Sequence, residues 1–198
     1  MAWLSVAGFV SLHYGLLALL ALQCYALGFS LTKRVAYHSL EEAPLNEFEE
    51  SFRINCLGAI ACTKVVLPGM RQRHAGAIVH VSSVLGKWGS CHSASYSVGK
   101  FALAGFTDVL RQELAGTGIH VMGVYPGFIR TDMTARFVPA GSLKERYGKS
   151  PQAMARVILK ALSQNRAELH YPWYVSWLVR FHRMMPAVSD RFARRARR

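Results

Sequence analysis

The sequence predicts an α/β domain built on a parallel sheet. Two observations carry this. Short apolar runs of strand length alternate with longer stretches of helical periodicity, and the links between them are short and marked by Gly, Pro or Ser. The 198 residues are 52% apolar, which suits one domain with an appendage and excludes a disordered chain. Asn46-Glu47-Phe48-Glu49 reads as a helix start, with Asn46 as the cap and Glu49 at the third position. That helix continues through Phe52, Ile54, Leu57, Ile60 and Val65 toward Leu67, and Pro68-Gly69 bends or ends it. Gly76 to Val81 is a strand, followed by a polar stretch from Ser82 to Ser95. A second helix spans about 93–115, with Phe101, Leu103, Phe106 and Leu110 as its apolar positions, and Gly116 and Gly118 stop it. Ile119 to Tyr125 is a buried-type strand ended by Pro126-Gly127. Ser150 caps a third helix with Pro151 at its first position, reaching about Asn165. Glu168 to Tyr171 is a last short strand, and Trp173 to Met185 is an aromatic helix or hairpin.

Charge is distributed unevenly. The net charge is +13, yet residues 2–32 carry none, 33–135 carry net +2 and 136–198 carry net +11. A nucleic-acid role is therefore not expected, because the basic excess lies in the C-terminal part without a recognition motif. The four cysteines (Cys24, Cys56, Cys62, Cys91) have no metal-ligand or disulfide-framework spacing, and the histidines (His80, His92 and His120 among them) show no metal pattern. No metal site is expected.

The uncharged start is long enough to cross a bilayer. Residues 14–31 are nearly all apolar, and Lys33 and Arg34 follow at once. With only the C-terminal flank basic, the rest of the chain would lie in the cytosol. A cleavable signal peptide fits less well, since no basic n-region precedes the apolar run. A buried helix or an alternative start is the competing interpretation. The expected division is a membrane segment at 1–32, a catalytic-type domain at 33–172 and an aromatic, basic tail at 173–198. In that tail, Trp173, Trp177 and Phe181 beside Arg180 and Arg183 suit an interfacial helix, and the final arginines suit anionic headgroups.

Chemistry concentrates around one helix. Tyr96 and Lys100 stand four residues apart and so share a helix face. An ammonium beside a phenol favours the phenolate, which makes the phenol a usable acid or base. Ser83 ends the preceding strand and can donate to a carbonyl or alkoxide oxygen. Asn55 lies on the first helix, and Pro126 to Thr131 follow the C-terminal end of the second long strand, where open α/β sheets bind ligands. Ser82 reads as structural.

Asn55, Ser83, Tyr96 and Lys100, with PGFIRT at 126–131, resemble the short-chain dehydrogenase/reductase family. The surrounding text agrees: LEEAPLNEFEESFRIN (40–55), LPGM (67–70), GAIVHVSS (76–83), SYSVGKFALAGF (95–106) and VYPGFIRTDM (124–133). The resemblance covers about residues 39–165. It implies a Rossmann-type doubly wound parallel sheet that lacks its first βαβ segment and carries an N-terminal apolar helix. It implies reversible hydride transfer between NAD or NADP and a hydroxyl/carbonyl pair. Tyr96 would be the acid/base, Lys100 would lower its pKa and hold the nicotinamide ribose, and Ser83 would hold the substrate oxygen. Asn55 would fix a water linked to Lys100. Pro126, Gly127, Ile129 and Thr131 would line the nicotinamide side, with an interior polar role for Asn55 and a cap role for Thr131 as the less favoured alternatives.

The family's TGxxxGxG turn, which binds pyrophosphate at a helix N-terminus, has no counterpart among Gly8, Gly15 and Gly28. The residue that sets NAD or NADP preference is also absent. Two functions are therefore expected to compete: a membrane-associated oxidoreductase, placed at the endoplasmic reticulum in a eukaryote, or a non-catalytic truncated relative that binds a partner or membrane. The aromatic C-terminal region suggests a small lipophilic alcohol or ketone as substrate. A homodimer through the two long helices at 46–70 and 93–115 follows from the resemblance.

Overall fold

The computed structural model describes residues 39–131, 134 and 147–195, with side chains up to Arg191. The expected apolar N-terminal helix lies outside the described residues. Among those described, no helix is long and apolar enough to cross a membrane.

Among the described residues, three parallel strands form a sheet in the order β1 (Gly76–Val81), β2 (Ile119–Pro126), β3 (Glu168–Tyr171). Register pairs Ile78 with Val121, His80 with Gly123 and Tyr125 with His170. Alternate residues of β2 therefore face opposite ways, and the two apolar clusters divide accordingly. On one side Ile78, Ile119 and Val121 pack with Val66 and Met70 of α2 (Gly58–Gln72) and Leu110 of α3 (Ala94–Glu113). On the other, Met122, Val124 and Leu169 pack with Met154, Ala161 and Leu162 of α4 (Pro151–Ser163). Helices thus cover both sheet faces, as a doubly wound fold requires.

The element boundaries correct two sequence expectations. The first helix, α1 (Leu45–Phe52), starts one residue before Asn46, and its flanking residue is Pro44. No side chain caps it, so Asn46 sits inside the first turn rather than at the cap. Pro68 does not end the following helix, which runs on to Gln72. Packing of Val66 and Met70 on the sheet, on either side of Pro68, outweighs the hydrogen bond that proline removes. Between α1 and α2 the chain widens into a single π-helical turn, Arg53–Leu57.

The other elements form as read. Gly116 and Gly118 have φ of 76° and 81°, left-handed values that let the chain reverse from α3 into β2. Ser150 Oγ accepts from the Ala153 amide at 3.2 Å, with Pro151 at the first helical position. Trp173 to Met185 resolves as a helix, α5 (Tyr174–Met184), followed by α6 (Pro186–Arg195). Buried Val175 and Val179 seat α5 against β3.

His80 is the polar centre of the α2/α3 side. Its Nε2 lies 3.1 Å from Thr63 Oγ1 and its Nδ1 2.9 Å from Thr107 Oγ1. Each threonine has one hydroxyl proton and a carbonyl of its own helix within reach, at Ala59 and Leu103. A neutral imidazole has one donor and one acceptor, so one threonine donates to His80 and the other to its helix. Burial lowers the His80 pKa to about 4. In the unfolded chain the ring protonates near its ordinary 6.5, so the unfolded state binds the extra proton first as pH falls. Stability present above pH 6.5 should therefore drop by up to about 3 kcal/mol toward pH 4. Urea denaturation at pH 7 and 4.5 checks this, and His80→Gln should lack that share of the slope.

Candidate active site

The site is assembled where the C-terminal end of β1 meets α3. After Val81 the chain turns through Ser82 and Ser83 into a short 3-10 turn, Val84–Gly86. Ser83 opens that turn, and its Oγ accepts from the Leu85 amide at 3.1 Å. The hydroxyl proton is thereby left to donate elsewhere. Ser82 has the structural role expected of it: its Oγ donates to the Lys100 carbonyl at 2.9 Å, and its amide donates to Val124 at 2.8 Å. One serine ties the turn to both α3 and β2, and the next presents its hydroxyl at the strand end.

Tyr96 and Lys100 follow one another along α3. Lys100 Nζ lies 5.6 Å from the Tyr96 ring centroid and donates to the Val81 carbonyl at 3.2 Å. The Lys100 side chain is thus drawn under the end of β1, and the residue is only 3% exposed. Burial lowers its pKa to about 8. Its ammonium therefore remains charged at neutral pH and supplies positive potential beside the Tyr96 phenol.

Asn55 lies in the π-helical turn, whose extra residue per turn leaves room for side-chain contacts. Its Nδ2 donates to the Ser51 carbonyl at 3.0 Å and to Ser51 Oγ at 3.3 Å. Ser51 Oγ in turn donates to the Ser95 carbonyl at 2.9 Å, and Ser95 Oγ donates to Glu47. These bonds bind α1 and the π-helical turn to the start of α3, where Tyr96 stands. Gly99 makes the close approach possible. A Cβ there would lie 3.0 Å from the Ser51 carbonyl oxygen and 3.2 Å from Asn55 Cβ.

The segment after β2 runs toward the same end of the sheet. The Gly127 amide donates to Tyr171 of β3 at 2.7 Å, and Ile129 bridges to Lys149. Thr131 and Thr134 exchange hydrogen bonds: the Thr131 amide donates to Thr134 Oγ1 at 2.8 Å, and the Thr134 amide donates to Thr131 Oγ1 at 3.3 Å. That is the geometry of a cap, one of the two roles weighed for Thr131. Pro126 closes β2 opposite Tyr171. The structure thus brings Ser83, Tyr96 and Lys100 to one junction, joins Asn55 to it through Ser51 and Ser95, and places 126–131 beyond the neighbouring strand. Among the described residues no group of His, Cys, Asp or Glu could hold a metal ion.

Residues 32–140 match the model of the short chain dehydrogenase family. The chain belongs to that family. Among its relatives, a ketoacyl reductase, HetN, of Nostoc is 34% identical over 63% of this chain and 44% of its own length. A 3-oxoacyl-[acyl-carrier-protein] reductase, FabG, of Aquifex aeolicus is 37% identical over 61% of this chain and 51% of its own. Dehydrogenase/reductase SDR family member 7B of Danio rerio is 33% identical over 61% and 41%. The chain therefore spans about half the length of the curated relatives it matches. A short chain dehydrogenase from Burkholderia cenocepacia, solved with NADP, superposes with a TM-score of 0.66 at 22% identity, over 89% of this chain and 73% of that one. It shares the fold.

Three participants escaped the sequence reading. Ser51 and Gly99 join Asn55 to α3, and Gly86 lets the 3-10 turn touch the Lys100 backbone. A signal existed for Gly99, since a glycine inside a helix costs about 1 kcal/mol relative to Ala and usually marks a close contact. Ser51 gave none, because a serine on an amphipathic helix is ordinary.

Proposed function

We propose that this chain is the catalytic portion of a nicotinamide-dependent oxidoreductase that interconverts a hydroxyl and a carbonyl group. The observation that carries this is the pair of Tyr96 and buried Lys100 at the end of β1, with the turn that Ser83 opens tied to the Lys100 carbonyl through Ser82. Hydroxyl, phenol and ammonium suit the ribose and carboxamide of a nicotinamide, and family relatives are named as reductases or dehydrogenases. The cofactor, NAD or NADP, supplies or accepts the hydride when bound. Ser83 holds the substrate oxygen, Tyr96 exchanges the proton with it, and Lys100 stabilises the phenolate. Asn55 positions a water near Lys100. Pro126, Gly127, Ile129 and Thr131 form the wall on the nicotinamide side. Among the described residues, no glycine-rich turn supplies the pyrophosphate end.

The uncharged residues 2–32 and the outward aromatic residues of α5 support membrane association, and the same aromatics favour a small lipophilic alcohol or ketone. Val65, Val98 and Val109 leave apolar surface on α2 and α3, which suits a homodimer through these helices.

Titration of the folded chain with NADH and NADPH, followed by turnover with a lipophilic ketone and a small sugar, tests the proposal. Binding of one cofactor and preference for the ketone are expected. A folded chain that binds neither nucleotide overturns the enzymatic reading and leaves the non-catalytic relative. Preference for the sugar overturns the substrate class alone.

A further inference from the structure

We propose that the groove between β3 and α5 binds the phosphate group of a phosphate monoester. The groove encloses about 320 Å³ and is lined by Lys87, Arg166, His170, Ser176, Arg180 and Arg183, together with Glu168. Four cations therefore face a single carboxylate. That carboxylate is already occupied: Glu168 lies 3.0 Å from Lys87 Nζ through one oxygen and 3.0 Å from His170 Nε2 through the other. These two contacts hold the Glu168 pKa down to about 2, so it is ionised and cancels Lys87. Arg166, Arg180 and Arg183 make no ion pair among the described residues. Three arginines that line the groove thus have no carboxylate partner among the described residues.

The surroundings are fixed rather than loose. Lys87 is 13% exposed in its side chain, held by Glu168, by Asp108 at 3.9 Å and over the Tyr125 ring at 4.3 Å. Ser176, Arg180 and Arg183 fall at i, i+4 and i+7 of α5 and so share its groove-facing side. Val175 and Val179, both buried, lock that helix in place. His170 faces an ionised carboxylate through Nε2, which must donate, while its buried Nδ1 has no hydrogen-bond partner among the described residues.

Arginine forks match tetrahedral phosphate oxygens two at a time, and a dianion balances what a single carboxylate would leave unpaired. The other flank of α5 exposes Trp177, Leu178, Phe181 and Met184. A phosphate in the groove with an acyl chain along that flank is one source of the ligand, and a soluble phosphate ester is the other.

The test uses the full chain in two arms. Saturable binding is measured for glycerol phosphate in solution and for phosphatidylcholine vesicles containing phosphatidic acid. Arg180→Gln with Arg183→Gln should weaken whichever binding is present at least tenfold, whereas Arg71→Gln with Arg73→Gln, which removes equal charge near the end of α2, should change it less than twofold. Binding in the first arm alone assigns a soluble ester. Binding to vesicles, lost also in Trp177→Ala with Phe181→Ala, assigns a lipid headgroup. Absence of binding in both arms, or equal loss in both charge variants, overturns the site.

Discussion

Lys100→Met should remove turnover while making the protein more stable. Burial holds the ammonium at a pKa of about 8, against an ordinary 10.5 in the unfolded chain. The unfolded state therefore binds the proton more tightly, and folding carries a penalty of up to about 3 kcal/mol at all pH values below 8. That penalty fades as pH rises from 8 to 10.5, so wild-type stability should climb over that window. Methionine fills a similar volume without charge. It forfeits the bond to the Val81 carbonyl, worth about 1 kcal/mol. The expected net gain at pH 7 is about 1–2 kcal/mol, and the rise between pH 8 and 10.5 should flatten. Turnover should fall about 10³-fold or more, because the ammonium no longer favours the Tyr96 phenolate. Tyr96→Phe should lose activity to a similar degree while leaving the pH dependence of stability intact. Denaturant curves at pH 7, 8.5 and 10, with steady-state rates at pH 7, check both variants. Equal destabilisation by both would show that Lys100 is held for structure rather than for its charge.

The parts of this protein legible in its sequence are those whose signals are local. The strands and α4 were readable because their signals are local: apolar runs between turn residues, and Ser150-Pro151 as cap and first position. Tyr96 and Lys100 were readable because their spacing is helical. Of the two outcomes expected at Pro68, a bend or an end, the end does not occur, because sheet packing of Val66 and Met70 carries the helix on to Gln72. The π-helical turn at Arg53–Leu57 has no local signal in the sequence, and the close approach of Ser51 and Asn55 to Gly99 is visible only in the fold. The Lys87, Asp108 and Glu168 cluster joins residues up to 81 positions apart, and only the fold reveals it. The basic composition of the C-terminal part gave the sign of that region's charge, but not the groove that gathers three of its arginines.

Gly86→Ala should be among the most damaging single-methyl changes near the site. Gly86 is buried in the 3-10 turn, and an added Cβ would sit 2.5 Å from Ser82 Oγ and 2.6 Å from the Lys100 carbonyl oxygen. Neither neighbour can give way cheaply. The carbonyl belongs to the backbone of α3, and Ser82 Oγ is committed to that same carbonyl at 2.9 Å. The turn must instead move off the helix, which breaks the Ser82 bond and separates Ser83 from Lys100 and Tyr96. Overpacking of this kind, with a lost buried hydrogen bond, should cost about 2–4 kcal/mol. A displacement near 1 Å at the reacting groups should lower kcat about 10²-fold in the fraction that remains folded. Gly89→Ala is the internal control, three residues on in the same connection. A Cβ there meets nothing within 4 Å, so its stability should stay within about 0.5 kcal/mol of wild type. Thermal denaturation of the two variants, with rates measured well below their midpoints, separates loss of fold from loss of alignment. If Gly86→Ala behaved like Gly89→Ala, the contact between the turn and the Lys100 backbone would not be what aligns Ser83 with α3.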